Sequence, residues 1–164
     1  MALDFNISAD HANKKVELQI RAIKTLSREA IRKGFYFIGR ELREEAKRSI
    51  INGPKSGRLY RIKGRKNLHR ASAPGESPAN LFGNLQKSIG YIVKGSDSME
   101  FGAGGESGKL HGLARKDVKY ARRLELGGGS VAQRPYLSKA IDAKEKQVST
   151  IFENELKRSL NKPA

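Results

Sequence analysis

Residues 120–141 read YARRLELGGGSVAQRPYLSKAI: a short run with both signs of charge, three consecutive glycines, then a proline followed at once by helix-forming residues. Gly127, Gly128 and Gly129 allow positive φ, and Pro135 fixes φ where a helix can begin without its first amide donor. The stretch is a corner that reverses the chain and delivers it into a terminal helix over 135–160. Leu137, Ile141, Val148, Ile151, Phe152, Leu156 and Leu160 give that helix one apolar side. Ahead of the glycines, Tyr120, Leu124 and Leu126 are spaced by four and by two, so a short helix and a strand both fit.

Upstream, Val16, Ile20, Ile23, Ile31, Phe35, Ile38, Leu42, Ala46 and Ile50 fall on one helical stripe, which predicts a long helix over 9–50 with Ser8 or Asp10 as its cap. Unbroken, it would run on the order of 60 Å, more than a small core covers, so part of the stripe is expected to meet another subunit. Gly34 is the natural place for a break or bend, which leaves two consecutive helices open. Asn52, Gly53 and Pro54 stop the helix. A basic arm or loop follows over 52–79, in which Leu59, Tyr60 and Ile62 precede the turn-like KGRK and Leu68 follows it, as in a small hairpin. Within 80–126, Asn80 is expected to cap a short helix over Leu81, Phe82, Leu85 and Ile89. Tyr91–Val93 and Met99–Phe101 then form a hairpin, and the glycine-rich 102–117 a loop. The whole is a single α+β domain, 1–164, with a long N-terminal and a C-terminal helix packed on a small antiparallel sheet.

Charge is the strongest compositional signal: 33 Lys and Arg against 17 Asp and Glu leave a net +16 on 164 residues. The surplus is uneven. No acid lies between Glu45 and Glu76, while Lys55, Arg58, Arg61, Lys63, Arg65, Lys66 and Arg70 crowd the arm, which therefore faces phosphates, an acidic partner or solvent. Zero cysteines exclude disulfides, thiol nucleophiles and thiolate metal sites. His11, His69 and His111 match no ligand spacing, so no metal is expected. Gly104, Gly105, Gly108 and Lys109 superficially suggest a phosphate cradle, but Leu110 stands where the Walker pattern needs Ser or Thr, and no cofactor is expected. No apolar run approaches the roughly 18 to 20 residues of a membrane helix, and the N-terminus lacks the order of a secretory signal; the reading is a soluble protein made without export, with no membrane partner.

The order Tyr120-Ala121, Leu124-Glu125-Leu126-Gly127, a polar loop, then Arg134-Pro135-Tyr136-Leu137 and Ala140 resembles the motif of tailed-bacteriophage neck proteins, the head-tail connector and tail-completion family. That pattern is roughly Tyr-Ala, Glu-aromatic-Gly-Thr, then Pro-aromatic-Leu and Ala. Ser77-Pro78-Ala79, Gly83, Leu85, Ser88 and Ile89 resemble the family's upstream segment. Leu126 and Gly128 depart from it, standing where an aromatic and a Thr are usual. The resemblance implies a structural virion protein, located in the neck or tail and in the host cytoplasm during assembly. It implies a homo-oligomeric ring, sixfold as a hexamer, between the capsid portal and the tail tube. Neighbouring neck and tail-tube proteins would be its partners, genome DNA would pass through its channel, and no enzymatic activity would be present. On this reading Tyr120, Arg123, Glu125, Pro135, Tyr136 and Leu137 serve the subunit or partner interface, and the arm meets DNA non-specifically or an acidic neighbour.

The alternative is a nucleic-acid-binding protein without sequence preference, supported by the charge and the arm. Aromatics at 7% with no stacking platform weigh against single-strand recognition. An enzyme would need a catalytic set, and the one carboxylate cluster, Glu41, Glu44 and Glu45, is accounted for by a solvated helix face paired to lysine and arginine.

Overall fold

The computed structural model describes residues 3–9, 12–18, 28–64, 66–95, 98–104 and 118–160. In chain order these form β1 (Leu3–Ala9), β2 (Ala12–Leu18), α1 (Arg28–Asn52), β3 (Leu59–Arg61), β4 (Leu68–Arg70), α2 (Asn84–Lys87), β5 (Ile89–Lys94), β6 (Ser98–Ala103), α3 (Ala121–Leu126) and α4 (Leu137–Leu160). The architecture is α+β. Helix α1 packs against α4 on one side and the β5–β6 hairpin on the other, and β1 lies alongside β6.

The helix expected over 9–50 begins only at Arg28. Ser8 belongs to β1, and Ala12–Leu18, including Val16, is a strand antiparallel to β1, with Phe5 opposite Val16 and Leu3 opposite Leu18. The physical reason is that Leu3, Phe5 and Ile7 alternate at a period of two, as do Val16 and Leu18, so each segment offers the other a strand partner. Asp10, Ile20 and Ile23 lie outside the described residues.

At 25 residues α1 spans about 37 Å. It runs through Gly34 without a break, because the glycines serve close approach. A Cβ on Gly34 would lie 2.7 Å from the Phe152 ring, and one on Gly39 would lie 2.4 Å from the Tyr91 ring. Phe35 meets Phe152 edge to face at 5.3 Å. Phe35, Ile38, Leu42, Ala46 and Ile50 are all 1% exposed or less, so the α1 part of the stripe is covered by the chain itself. Burying each large side chain there contributes on the order of 2 kcal/mol. Leu137, Ile141, Val148 and Phe152 supply the matching face of α4; the side chains of Leu156 and Leu160 lie outside the described ones.

Helix α2 is shorter than expected. The Asn80 side chain accepts the Gly83 amide at 2.9 Å and so shapes the turn before the helix, while Gly83, at φ 74°, occupies the cap position. Ile89 and Gly90 pair with Ala103 and Gly102, so strand pairing takes the residues that helical spacing had claimed. The β3–β4 hairpin of the arm is present, with Leu59 opposite Arg70 and Arg61 opposite Leu68.

Candidate docking face and basic arm

The opening stretch resolves into α3, a glycine turn and the start of α4. Gly128 and Val131 exchange backbone hydrogen bonds at 3.0 and 3.1 Å, closing the turn, and the Arg134 amide donates to the Leu124 carbonyl at 2.6 Å. Gly127, Gly128 and Gly129 all have positive φ (74°, 138° and 58°), as the corner requires. The return places Glu125, 1% exposed, under the first turn of α4. Its carboxylate accepts the amides of Tyr136 (2.8 Å), Leu137 (3.0 Å) and Ser138 (2.9 Å), and the Ser138 hydroxyl as well. An anion at a helix N-terminus satisfies donors with no intrahelical partner and meets the positive end of the dipole.

Of the residues expected at an interface, Glu125, Tyr136 and Leu137 are buried in the chain's own core and Pro135 is half-buried, whereas Tyr120, at the cap of α3, and Arg123, on it, are exposed. The Tyr136 hydroxyl has no hydrogen-bond partner among the described residues; burial, and then the nearby Glu125, push its pKa well above the usual phenol value.

The arm has a rigid foot. Gly57 and Ala71 continue the β3–β4 ladder, through the Gly57 amide to the Ala71 carbonyl and the Ala71 amide to the Arg58 carbonyl, both at 3.0 Å. Glu76 closes it from below, accepting the Ser56 amide (2.9 Å), the Ser56 hydroxyl (2.6 Å) and the Ala73 amide (2.7 Å). Those bonds, led by the Ser56 hydroxyl, hold its pKa down to about 2. The foot is tied to the corner: the Arg134 guanidinium donates to the Ser72 carbonyl at 3.1 Å, and the Gly75 amide to the Gln133 carbonyl at 2.8 Å.

The cations of the arm divide by task. Lys55 donates to the Gly53 carbonyl at 2.9 Å and, at longer range, to those of Pro54 and Ser49, closing the C-terminus of α1; burial lowers its pKa. Arg70 donates to the Gly57 carbonyl at 3.3 Å, within the arm's own frame. The side chains of Arg58, Arg61, Lys63 and Lys66 are exposed and make no hydrogen bond or ion pair among the described residues, and Arg65 lies outside them.

Sequence reading missed an apolar face. Ile51, Leu59, Tyr60, Leu68, Phe82 and Tyr120 are large hydrophobic side chains left exposed. Tyr60, Phe82 and Tyr120, with Leu81, Leu124 and Val131, line a groove of about 510 Å³ between the arm, the 78–85 segment and α3; Ile50 and Leu85 are the buried residues of its wall. His69, Arg123 and Arg134 also line it, and among the described residues no carboxylate does. The available signal was Tyr60, an aromatic residue in an otherwise charged hairpin too short to bury it. Among the described residues no group of three or more His, Asp or Glu side chains could hold a metal, and no helix is long and apolar enough to cross a membrane. The acids of α1 are paired as expected: Glu44 with Arg43 at 2.8 Å, Glu45 with Arg48 at 2.5 Å and Glu41 with Lys144 at 3.3 Å.

Comparison with protein-family models, with curated proteins and with solved structures finds no match for the chain. What the residues define is a small α+β fold with a closed core, a firmly footed cationic arm and an open apolar groove beside it.

Proposed function

We propose that this chain is a structural subunit of a tailed-phage neck, forming a ring that completes the tail end and joins it to the head around the DNA channel. The observation that carries the reading is a basic hairpin on a hydrogen-bonded foot beside an open groove to which Tyr60, Phe82 and Tyr120 contribute exposed side chains. Together they make a joining surface that a solitary globular domain does not need. The resemblance of the 77–89 and 120–140 segments to neck proteins supplies the setting. A closed ring brings two different patches of neighbouring subunits together. No catalytic step is assigned: the one carboxylate cluster is neutralised by its own lysines and arginines.

The test is assembly. Purified protein imaged by negative stain, alone and mixed with tail tubes, should show rings, and rings seated on tube ends. Salt-sensitive coating of duplex DNA by monomers, with no rings and no tube binding, would replace this reading with that of a nucleic-acid-binding protein.

A further inference from the structure

We infer that the groove between the arm and α3 is the seat of an extended acidic segment of another protein, one that places an apolar side chain between Tyr60, Phe82 and Tyr120 with carboxylates toward Arg123 and the outer arm. The inference names the partner of the joining face and takes its biological setting, though not the binding itself, from the neck reading.

Three observations converge on that occupant. The first is shape and polarity: a concavity of about 510 Å³ with Ile50 and Leu85 in its wall holds one or two side chains, and a phosphate backbone has nothing to place there. The second is charge. Among the described residues no carboxylate lines the groove and none pairs with the Arg123 side chain, and Arg58 and Arg61 stand exposed beside and on the adjoining strand, so carboxylates there meet unneutralised cations. The third is backbone. Strands β3 and β4 pair only with each other among the described residues, leaving an edge whose N–H and C=O groups an extended segment can match.

A second copy of this chain fits poorly. Glu29, Glu41, Glu44, Glu45, Glu100 and Glu155 are already within ion-pair distance of a lysine or arginine of their own chain, and Glu76 and Glu125 are engaged by backbone amides, which leaves Glu145, between Lys144 and Lys146, and Glu153 exposed on α4. With a net charge of +16, a second copy would bring mainly cations to a cationic groove. A different, acidic chain supplies what is missing.

The experiment is fluorescence anisotropy of a labelled peptide of about ten residues, with one Phe flanked by Asp and Glu, titrated with the full chain. Binding on the order of 10 µM is expected. Arg123→Glu, or replacing the peptide's Phe by Ser, should each weaken it about tenfold, and Phe82→Ser at least about threefold, with thermal unfolding unchanged. Equal binding by the Phe-free peptide, or by both groove variants, overturns the proposal. So does displacement of the peptide by oligothymidylate or duplex DNA at lower concentrations than by unlabelled peptide, which would assign the groove to nucleic acid. No peptide binding together with loss of self-association in the groove variants would assign it to a second copy. Mass photometry of the same samples separates the two readings: monomers that bind the peptide remove the ring and leave this inference, and rings that ignore the peptide do the reverse.

Discussion

The Glu125 carboxylate accepts the Tyr136 amide at 2.8 Å, joining the last turn of α3 to the first turn of α4 across the glycine corner. Because the same group takes the Leu137 and Ser138 amides, removing it strands several buried donors at once. Glu125→Gln keeps the size but turns an N–H₂ toward amides that need an acceptor. The expected loss is about 2 kcal/mol, roughly 6 °C in Tm, and urea titration followed by far-UV circular dichroism measures it. Unchanged stability would mean that the cap is dispensable.

Tyr136 presents the converse case. Its ring is fully buried and its hydroxyl finds no partner among the described residues, so Tyr136→Phe removes a buried polar group while keeping the packing. Stability should stay the same or rise by about 1 kcal/mol in the same titration.

At Gly39 a new Cβ would lie 2.4 Å from Tyr91 Cδ2, within a tightly packed helix–sheet contact. An exposed helical glycine changed to alanine gains about 1 kcal/mol; here overpacking dominates, and Gly39→Ala should cost about 2 kcal/mol net. Differential scanning calorimetry reads the sign directly.

The foot of the arm depends on the Glu76 carboxylate. Its pKa is depressed to about 2 from an ordinary 4.5, so its contribution is present in full above the ordinary value and disappears as pH falls through about 2. The Ser56 and Ala73 amide resonances should therefore shift with a midpoint near 2. A midpoint near the ordinary carboxylate value would show that the clamp is absent in solution.

Cations that look alike in the sequence should behave differently. Lys55→Met removes the closure of the α1 C-terminus and should cost about 1 kcal/mol of stability. Reversing Arg58, Arg61, Lys63 and Lys66 together should leave Tm nearly unchanged while impairing the joining of heads to tails. Normal particle yield from that quadruple variant would remove the arm from the joining step.

Much of this architecture was legible, for identifiable reasons. Phe35 to Ile50 and Leu137 to Phe152 repeat with a helical period over several turns, and Asn52-Gly53-Pro54 and Pro135 mark where helices stop and start. The error at 9–27 arose because Val16 fits periods of two and of about 3.6, and only its pairing with Phe5 decides between them. Pairing is a long-range fact that local spacing does not hold. The candidate site was less legible. Of the residues that carry the resemblance, Ser77, Leu85, Ser88, Ile89, Glu125 and Tyr136 are buried and serve the fold, while Tyr120 is exposed. The groove is lined by side chains from five separate segments, and only the fold brings Tyr60, Phe82 and Tyr120 to one opening. Lys55 and Glu76 were read by charge alone: Lys55 turns back on the carbonyls of Gly53 and Pro54 beside it, which the charge pattern does not record, and Glu76 reaches Ser56 twenty residues upstream.

The central claim is that this chain leaves an apolar and cationic face for assembly to cover. Electron cryomicroscopy of the purified protein, alone and with tail tubes, tests it most directly. A closed ring, seated on the tube end with the groove face occupied by a neighbouring protein, is the predicted result. A monomer at high concentration that ignores the tubes, with the Tyr60, Phe82 and Tyr120 face open to solvent, would contradict it.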